Sequence, residues 1–204
     1  MRRIGVLTLT VAVAGLLWTA PVHAQLTVGL AAGGTSSSMG GSLITATDSD
    51  WGVLLGGSGM VRFQSNLGLQ LEANWVQKGG AGTVQGERVD LDLDYFELPL
   101  TAQLIVDLSP NWGWNLYGGI ALAFKTACEV SSDGTKEPCD TGIPDWTIES
   151  TEWSVPFGTS FSYGMQRSTL TADIRYSYGL STAVQNFSLK NRSWQFIVRW
   201  GFEV

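Results

Sequence analysis

The sequence predicts an all-β protein, an eight-stranded antiparallel up-and-down transmembrane β-barrel. Three observations support this prediction. Apolar and polar residues alternate with a period of two in eight successive segments, a pattern typical of strands with two different faces. Short connections alternate with long ones, as in a barrel with turns at one end and loops at the other. The apolar face is too bulky for the narrow interior of eight strands, which predicts that it faces lipid.

The composition excludes several classes of protein. The chain has 204 residues, with 12 Lys plus Arg against 18 Asp plus Glu and a formal net charge of −6. An acidic chain with no basic run is a poor candidate for a nucleic-acid binder. Hydrophobic residues make up 44% of the chain and charged residues only 15%, which excludes a disordered chain. The length suits one domain.

Residues 1–24 have the pattern of a secretory signal peptide. Two arginines precede an apolar run, and small residues lie at the expected cleavage point before Gln25. An N-terminal membrane anchor is the alternative interpretation. Cleavage would leave one barrel domain over residues 25–204 and would remove His23, the only histidine. Histidine-dependent nucleophiles and metal sites are then excluded, so we predict a non-enzyme with no catalytic residue, metal or cofactor.

The first three predicted strands, 25–34, 51–63 and 67–78, each place apolar residues on one face and small or polar residues on the other. The apolar face comprises Leu26, Val28, Leu30, Trp51, Val53, Leu55, Val61, Phe63, Leu67, Leu69, Leu71 and Trp75. Such alternation predicts strands with one apolar and one polar face.

The fourth predicted strand, 88–106, changes phase along its length. Leu91 and Leu93 first alternate with aspartates, after which Phe96 and Leu98 continue the apolar face one residue out of step. A change of phase within a strand predicts a β-bulge, which we place near Tyr95.

The last four predicted strands, 112–126, 151–164, 168–180 and 193–204, return to simple alternation. Their apolar face comprises Trp112, Trp114, Leu116, Ile120, Leu122, Phe124, Trp153, Val155, Phe157, Phe161, Tyr163, Leu170, Ala172, Ile174, Tyr176, Tyr178, Leu180, Trp194, Phe196, Val198, Trp200, Phe202 and Val204. Aromatic residues near the strand ends fit the two interfaces of a membrane.

The connections predict which surfaces are available to partners. The short turns are 65–66, 108–111 and 166–167, and the long loops are 35–50, 79–87, 127–150 and 181–192. Both termini then lie at the short-turn end. Besides outer-membrane lipid, we expect a protein or surface partner to bind through loops 35–50 and 127–150.

The polar face carries charges of both signs, which predicts a charged lumen. An Arg or Lys that faced lipid at mid-depth would cost about 2–4 kcal/mol. The predicted lumen charge network comprises Arg62, Glu72, Asp92, Glu97, Lys125, Asp173, Arg175 and Arg199. These side chains either fill the lumen as a plug or line a narrow pore. A soluble ligand-binding barrel with its apolar face inward is a third interpretation.

Two smaller features lie in or beside the loops. Cys128 and Cys139 lie close together in the longest loop, which in an exported chain predicts a disulfide. Asp90, Asp92 and Asp94 share one strand face near the outer rim, where they either hold a cation or pair with basic side chains and water.

One known family is similar to the whole chain after the leader. The stretch LDLDYFELPLTAQLIVDL at 91–108, LEANWVQKGG at 71–80 and NLYGGIALAF at 115–124 resemble the PorT-type outer-membrane β-barrel family. The resemblance implies a small integral protein of the bacterial outer membrane, in a family with some members linked to protein secretion. Together with the charged face, it favours a structural or interaction role, with a small-solute pore as the alternative.

Overall fold

The computed structural model describes residues 25–40, 48–63, 66–84, 87–132, 135–139, 149–181 and 190–204. The predicted leader, residue 65 of a predicted turn and parts of the predicted loops, at 41–47, 85–86, 133–134, 140–148 and 182–189, lie outside these residues. Among the described residues, no helix is both long and apolar enough to cross a membrane.

The strands form a closed antiparallel barrel. They are β1 (Gln25–Gly40), β2 (Asp48–Arg62), β3 (Leu67–Val84), β4 (Glu87–Asp107), β5 (Trp112–Ser132), β6 (Thr135–Pro138), β7 (Thr151–Met165), β8 (Ser168–Gly179) and β9 (Lys190–Glu203). Pairing of β1 with β9 closes the sheet, and the short β6 pairs only with the outer end of β5. The eight remaining strands confirm the predicted fold. The short turns at 108–111 and 166–167 and both described ends of the chain lie at one rim, which is the periplasmic end of an outer-membrane barrel.

Several strands are longer than the alternation predicted. β3 continues to Val84 and β4 starts at Glu87, so most of the predicted loop 79–87 is strand. β1 likewise reaches Gly40, and β5 reaches Ser132. The backbone ladder continues beyond the membrane, where water solvates the outer face. Apolar residues are no longer required there, and the period-two signal disappears.

The apolar face points outward, as predicted. Leu30 is 71% exposed and Trp51 68% exposed, whereas Glu72 and Arg175 on the opposite face are each 1% exposed. This arrangement suits lipid outside and a polar lumen inside. It contradicts a soluble barrel that encloses a ligand with its apolar face.

The expected change of phase in β4 does not occur. Leu91, Leu93 and Tyr95 point inward in the same alternation as Glu97, and all four are buried. The ladder between β4 and β5 does shift at Asp94 and Tyr95, but the extra residue is Thr126 on β5. Side chains along β4 alternate regularly between inward and outward throughout. Near Tyr95 the outward residues change from apolar to acidic and the inward ones become apolar, because β4 passes there from lipid into water.

A second irregularity brings β1 close to β3. The ladder between β2 and β3 shifts between Ser49 and Leu54. At this level Thr35 Oγ1 donates to the Gln77 carbonyl at 2.6 Å, and Ser37 Oγ accepts from the Gly79 amide at 2.7 Å. The inward hydroxyls of β1 therefore reach past β2 to the backbone of β3.

Candidate functional site

Glu72 lies at the centre of the lumen, where it accepts hydrogen bonds from several strands. Arg175 donates to it through both terminal nitrogens, Nη1 at 3.1 Å and Nη2 at 2.5 Å. Arg199 Nη2 donates at 3.1 Å, Gln70 Nε2 at 2.6 Å and Asn74 Nδ2 at 2.8 Å. β3 supplies the carboxylate and its two amides, while β8 and β9 supply the arginines. One carboxylate therefore joins opposite walls of the barrel.

Asp173 binds Arg199 directly and is linked to Arg175 through the hydroxyl group of Tyr117. Arg199 Nη1 donates to Asp173 Oδ2, and Tyr117 Oη donates to Asp173 Oδ1 at 2.5 Å. Arg175 Nε in turn donates to Tyr117 Oη at 3.1 Å. A Cβ at position 158 would lie 2.7 Å from Tyr117 Oη, so Gly158 leaves the room that this tyrosine needs.

We call Glu72, Asp173, Arg175 and Arg199 the charge layer. It contains two carboxylates and two guanidinium groups, so its formal charges cancel. Each of the four residues is no more than 6% exposed. Buried charges are tolerated when they are paired and hydrogen-bonded, and bidentate contacts between arginine and carboxylate are the strong form of such pairing.

A second polar cluster lies closer to the outer end. Lys78 Nζ is 3.5 Å from Glu97 Oε1 and 3.9 Å from Glu152 Oε1, and all three side chains are buried. Asn191 Nδ2 donates to Glu152 Oε2 at 2.6 Å. The Lys78 ammonium also lies 5.3 Å from the ring centroid of Tyr95, within the range of a cation–π contact. The charged interior thus extends from the charge layer toward the outer rim.

An apolar cluster, which we call the apolar cap, begins beside these charges and continues toward the outer rim. It comprises Leu91, Leu93, Tyr95, Ala123, Val130 and Cys139. Cys139 forms the predicted disulfide with Cys128, which packs against the cluster. Most of the cap belongs to the inward faces of β4 and β5, so the outer end of the lumen is lined by largely apolar side chains.

A cavity of about 210 Å³ occupies the periplasmic end of the lumen. Its lining includes Gln70, Gln103, Asn115, Asp173 and Arg199. The cavity therefore reaches inward as far as two members of the charge layer. The polar interior is open to the periplasmic side up to that layer.

The predicted network residue Arg62 lies at this periplasmic rim. It donates to Asp107 through two nitrogens, at 3.1 and 2.6 Å, and both side chains are partly exposed. The guanidinium of Arg62 lowers the pKa of the Asp107 carboxyl below its ordinary value, mainly through these hydrogen bonds. The pair is the last polar contact before the short turn that follows β4.

The Arg62 pair gives a small effect that depends on pH. We expect Arg62→Met to reduce the free energy of unfolding by about 0.2–1 kcal/mol at neutral pH, as for other exposed pairs. A carboxyl whose pKa is lowered in the folded state stabilises above its unfolded pKa and loses that contribution as the pH falls through its folded pKa. The loss should therefore diminish toward about pH 3. Urea unfolding from phosphatidylcholine vesicles at both pH values measures it, and an equal loss at both would contradict the assignment.

Two other predicted members of the network lie outside the two lumen clusters. The side chain of Asp92 is 42% exposed, and its Oδ2 accepts from Lys136 Nζ at 3.1 Å. It points outward because β4 keeps its phase. Lys125 is half-buried and lies beside the β5 bulge. The described residues contain no group of three or more acidic, cysteine or histidine side chains arranged to hold a metal, so the structure adds no support for a cation site at Asp90, Asp92 and Asp94.

The sequence analysis also missed several lumen residues. Glu152 and Ser154 occupy alternate positions on β7, so the period of two was sufficient to place Glu152 inside. The alternation does predict Lys78 on the polar face of β3 and Tyr117 on the polar face of β5, and both are buried there. Tyr95 was expected only as the position of a bulge. Hydropathy alone does not reveal that it points inward, because tyrosine is also common on the lipid face.

Comparison with known proteins supports the barrel fold. Neisserial surface protein A is similar in structure, with a TM-score of 0.54 and 16% identity over 88% of this chain and 97% of that one. The outer membrane protein OprG from Pseudomonas aeruginosa has a TM-score of 0.54 and 12% identity over 89% of this chain and 95% of that one. At these identities the likeness concerns the fold. No curated protein matches the sequence. Residues 18–185 match the family described as outer membrane protein beta-barrel domain, and the chain belongs to that family.

Proposed function

We propose that the protein is a non-enzymatic structural or interaction protein of the outer membrane, with a plugged lumen and an outer surface that contacts a partner. The charge layer is the observation that carries this proposal. Glu72 and Asp173 connect arginines from β8 and β9 to β3 and β5 with direct contacts across the interior. An ion that crossed the lumen would have to separate these buried charged groups. A buried charge without a partner is energetically costly.

The apolar cap supports the same proposal from the other end. Leu93 is directly opposite Lys78 in the ladder between β3 and β4, and Leu91 lies two residues closer to the outer rim. Both side chains are almost fully buried. Apolar constrictions oppose the passage of ions because they do not replace water of hydration. A lumen closed by both paired charges and an apolar cap suits an anchor better than a channel.

The outer extensions are the surfaces that we propose for partner contacts. β3 and β5 extend beyond the predicted strands there, and β6 is an additional short strand. The disulfide links Cys128 near the outer end of β5 to the residue after β6. Such a hairpin presents a defined surface instead of a free loop. Together with loop 35–50, the 127–150 region is our proposed binding surface for a protein or another cell surface.

Three further parts of the proposal rest on sequence. The basic and apolar start of the chain supports export by a signal peptide over residues 1–24, with the barrel domain at 25–204. The stretch YFELPL within β4 supports a place in the PorT-type branch of small outer-membrane barrels. Loss of His23 on cleavage supports a role other than histidine-dependent catalysis.

Conductance across a planar bilayer tests the plug. We expect the folded wild-type protein to give no unitary current steps, since the charge layer and cap close the lumen. Arg199→Ala changes the charge layer, while Arg167→Ala changes an exposed residue at a short turn and is the matched control. Steps from the wild type that Arg199→Ala alters and Arg167→Ala leaves unchanged would contradict the plug and favour a narrow pore.

A further inference from the structure

The outward-facing side of β9 changes from apolar to cationic near the outer rim of the barrel. Its outward residues are aromatic or aliphatic from Phe202 up to Trp194, and the next two outward residues are Arg192 and Lys190. Because β9 starts at the outer rim, these two cations stand just beyond the end of the apolar band. That is the level at which lipid headgroups meet an outer-membrane barrel.

A tyrosine on the neighbouring strand holds the two cations together. Tyr178 is directly opposite Arg192 in the ladder between β8 and β9. The Arg192 guanidinium carbon lies 5.5 Å from the centroid of its ring, and Lys190 Nζ lies 5.9 Å away. Both distances lie within the range of cation–π attraction. One ring therefore keeps two positive charges at the same place on the surface.

The adjacent strand β1 leaves room beside these charges. Ser36 pairs with Trp194 and Ser38 pairs with Arg192 across the ladder between β1 and β9. Thr35 and Ser37 are fully buried on the inward face, so strand alternation places Ser36 and Ser38 outward. Two hydroxyl groups on small side chains thus border the cations. The rings of Trp194 and Tyr176, whose centroids are 4.9 Å apart, lie next to them on the membrane side.

We propose that the surface formed by Ser36, Ser38, Tyr178, Lys190 and Arg192 binds the phosphate group of a lipid in the outer leaflet. Two cations complement a phosphate, and guanidinium, ammonium and hydroxyl groups all donate to its oxygens. The site continues directly into the lipid-facing surface at Trp194, which would accommodate the acyl chains of the same molecule. This continuity favours a lipid phosphate over a free phosphate ion.

The charge distribution at the outer rim supports this position. β4 and β5 lie on the other side of the barrel and carry Asp92 and Glu129 at their outer ends, with side chains 42% and 56% exposed. Lys136 contacts both carboxylates, and the three side chains together carry a net negative charge, which disfavours a phosphate there. An anionic lipid would therefore associate with one side of the protein, next to β8, β9 and β1.

Native mass spectrometry of the full-length folded protein tests the site. The protein is placed in nanodiscs of phosphatidylcholine with a minor fraction of phosphatidic acid, and the lipids retained after release are counted. We expect selective retention of phosphatidic acid by the wild type. The double variant Lys190→Gln/Arg192→Gln should retain it about ten- to thirtyfold more weakly, from typical contributions of basic residues at a membrane surface. Lys136→Gln, an exposed cation on the opposite side, is the control and should match the wild type.

Each other result overturns the proposal in a defined way. Equal retention of both lipids by the wild type would remove the phosphate preference, and equal retention by the double variant would remove these residues from the site. Binding of inorganic phosphate in discs of phosphatidylcholine alone, with loss of phosphatidic acid as phosphate is added, would identify a free-phosphate site instead. A heat-dependent gel shift shows that each variant is folded. None of these outcomes depends on whether the lumen conducts.

Discussion

Arg175→Met is expected to destabilise the barrel by about 3–5 kcal/mol, the usual cost of removing one partner from a buried ion pair. Arg175 is 1% exposed and makes three hydrogen bonds, two to Glu72 and one to Tyr117. Its loss leaves Glu72 and Asp173 with only Arg199, so the charge layer gains an uncompensated negative charge. Urea unfolding from phosphatidylcholine vesicles, followed by tryptophan fluorescence, measures the change.

A second substitution separates the buried charge from the lost packing. The double variant Arg175→Met/Glu72→Gln removes one charge of each sign and restores neutrality, so it should recover much of the lost stability. Arg167→Gln removes an exposed arginine and should stay within about 0.5 kcal/mol of the wild type. Two results would contradict this pairing: Arg175→Met has the same free energy of unfolding as the wild type, or the double variant is as unstable as the single one.

Removal of the disulfide should have the next largest effect. The bridge closes a loop with a sequence separation of 11, for which chain entropy predicts about 3 kcal/mol of stabilisation. Cys139 is buried in the apolar cap beside Val130, so Cys128→Ser/Cys139→Ser should loosen the cap and the β5–β6 hairpin first. Hydrogen exchange at the Val130 amide, which lies in the ladder opposite Leu91, reports this opening.

The barrel below the cap provides the control for that experiment. Amides in the middle of β8 and β9 should exchange as in the wild type, because their ladder contains no part of the hairpin. Reductant should reproduce the effect in the wild type and do nothing further to the double variant. Unchanged exchange at Val130 after reduction would show that packing alone holds the outer end.

The lipid-facing parts of the strands were predictable because contact with lipid requires apolar residues at every outward position. Wherever lipid covers the outside, residues such as Leu100 and Ile120 must alternate with small or polar ones. That rule ends where the strands enter water. Ser36 to Ser38 and Gly79 to Val84 carry no alternation, so the outer extensions of β1 and β3 could not be recognised by period.

The site was predictable in composition but only partly in arrangement. Alternation alone placed Glu72, Arg175 and Arg199 in the lumen, whereas the partner of each charge depends on strand register. Arg175 meets Glu72 across 103 positions of sequence, and no local pattern contains that information. The lumen position predicted for Asp92 was wrong. A charge that alternates with leucines points into the lumen where lipid surrounds the strand, but it points outward where water does.

The inversion of polarity on β4 also marks height above the membrane. Phe96 is the last outward residue of the lipid-facing alternation, and β4 begins at Glu87, so residues 87–94 stand outside it. Eight strand residues at about 3.4 Å each, tilted by about 40°, rise about 20 Å. The β5–β6 hairpin, which lies beside this end of β4, therefore extends beyond the lipid headgroups. A macromolecule that is too large to approach the bilayer could still contact it.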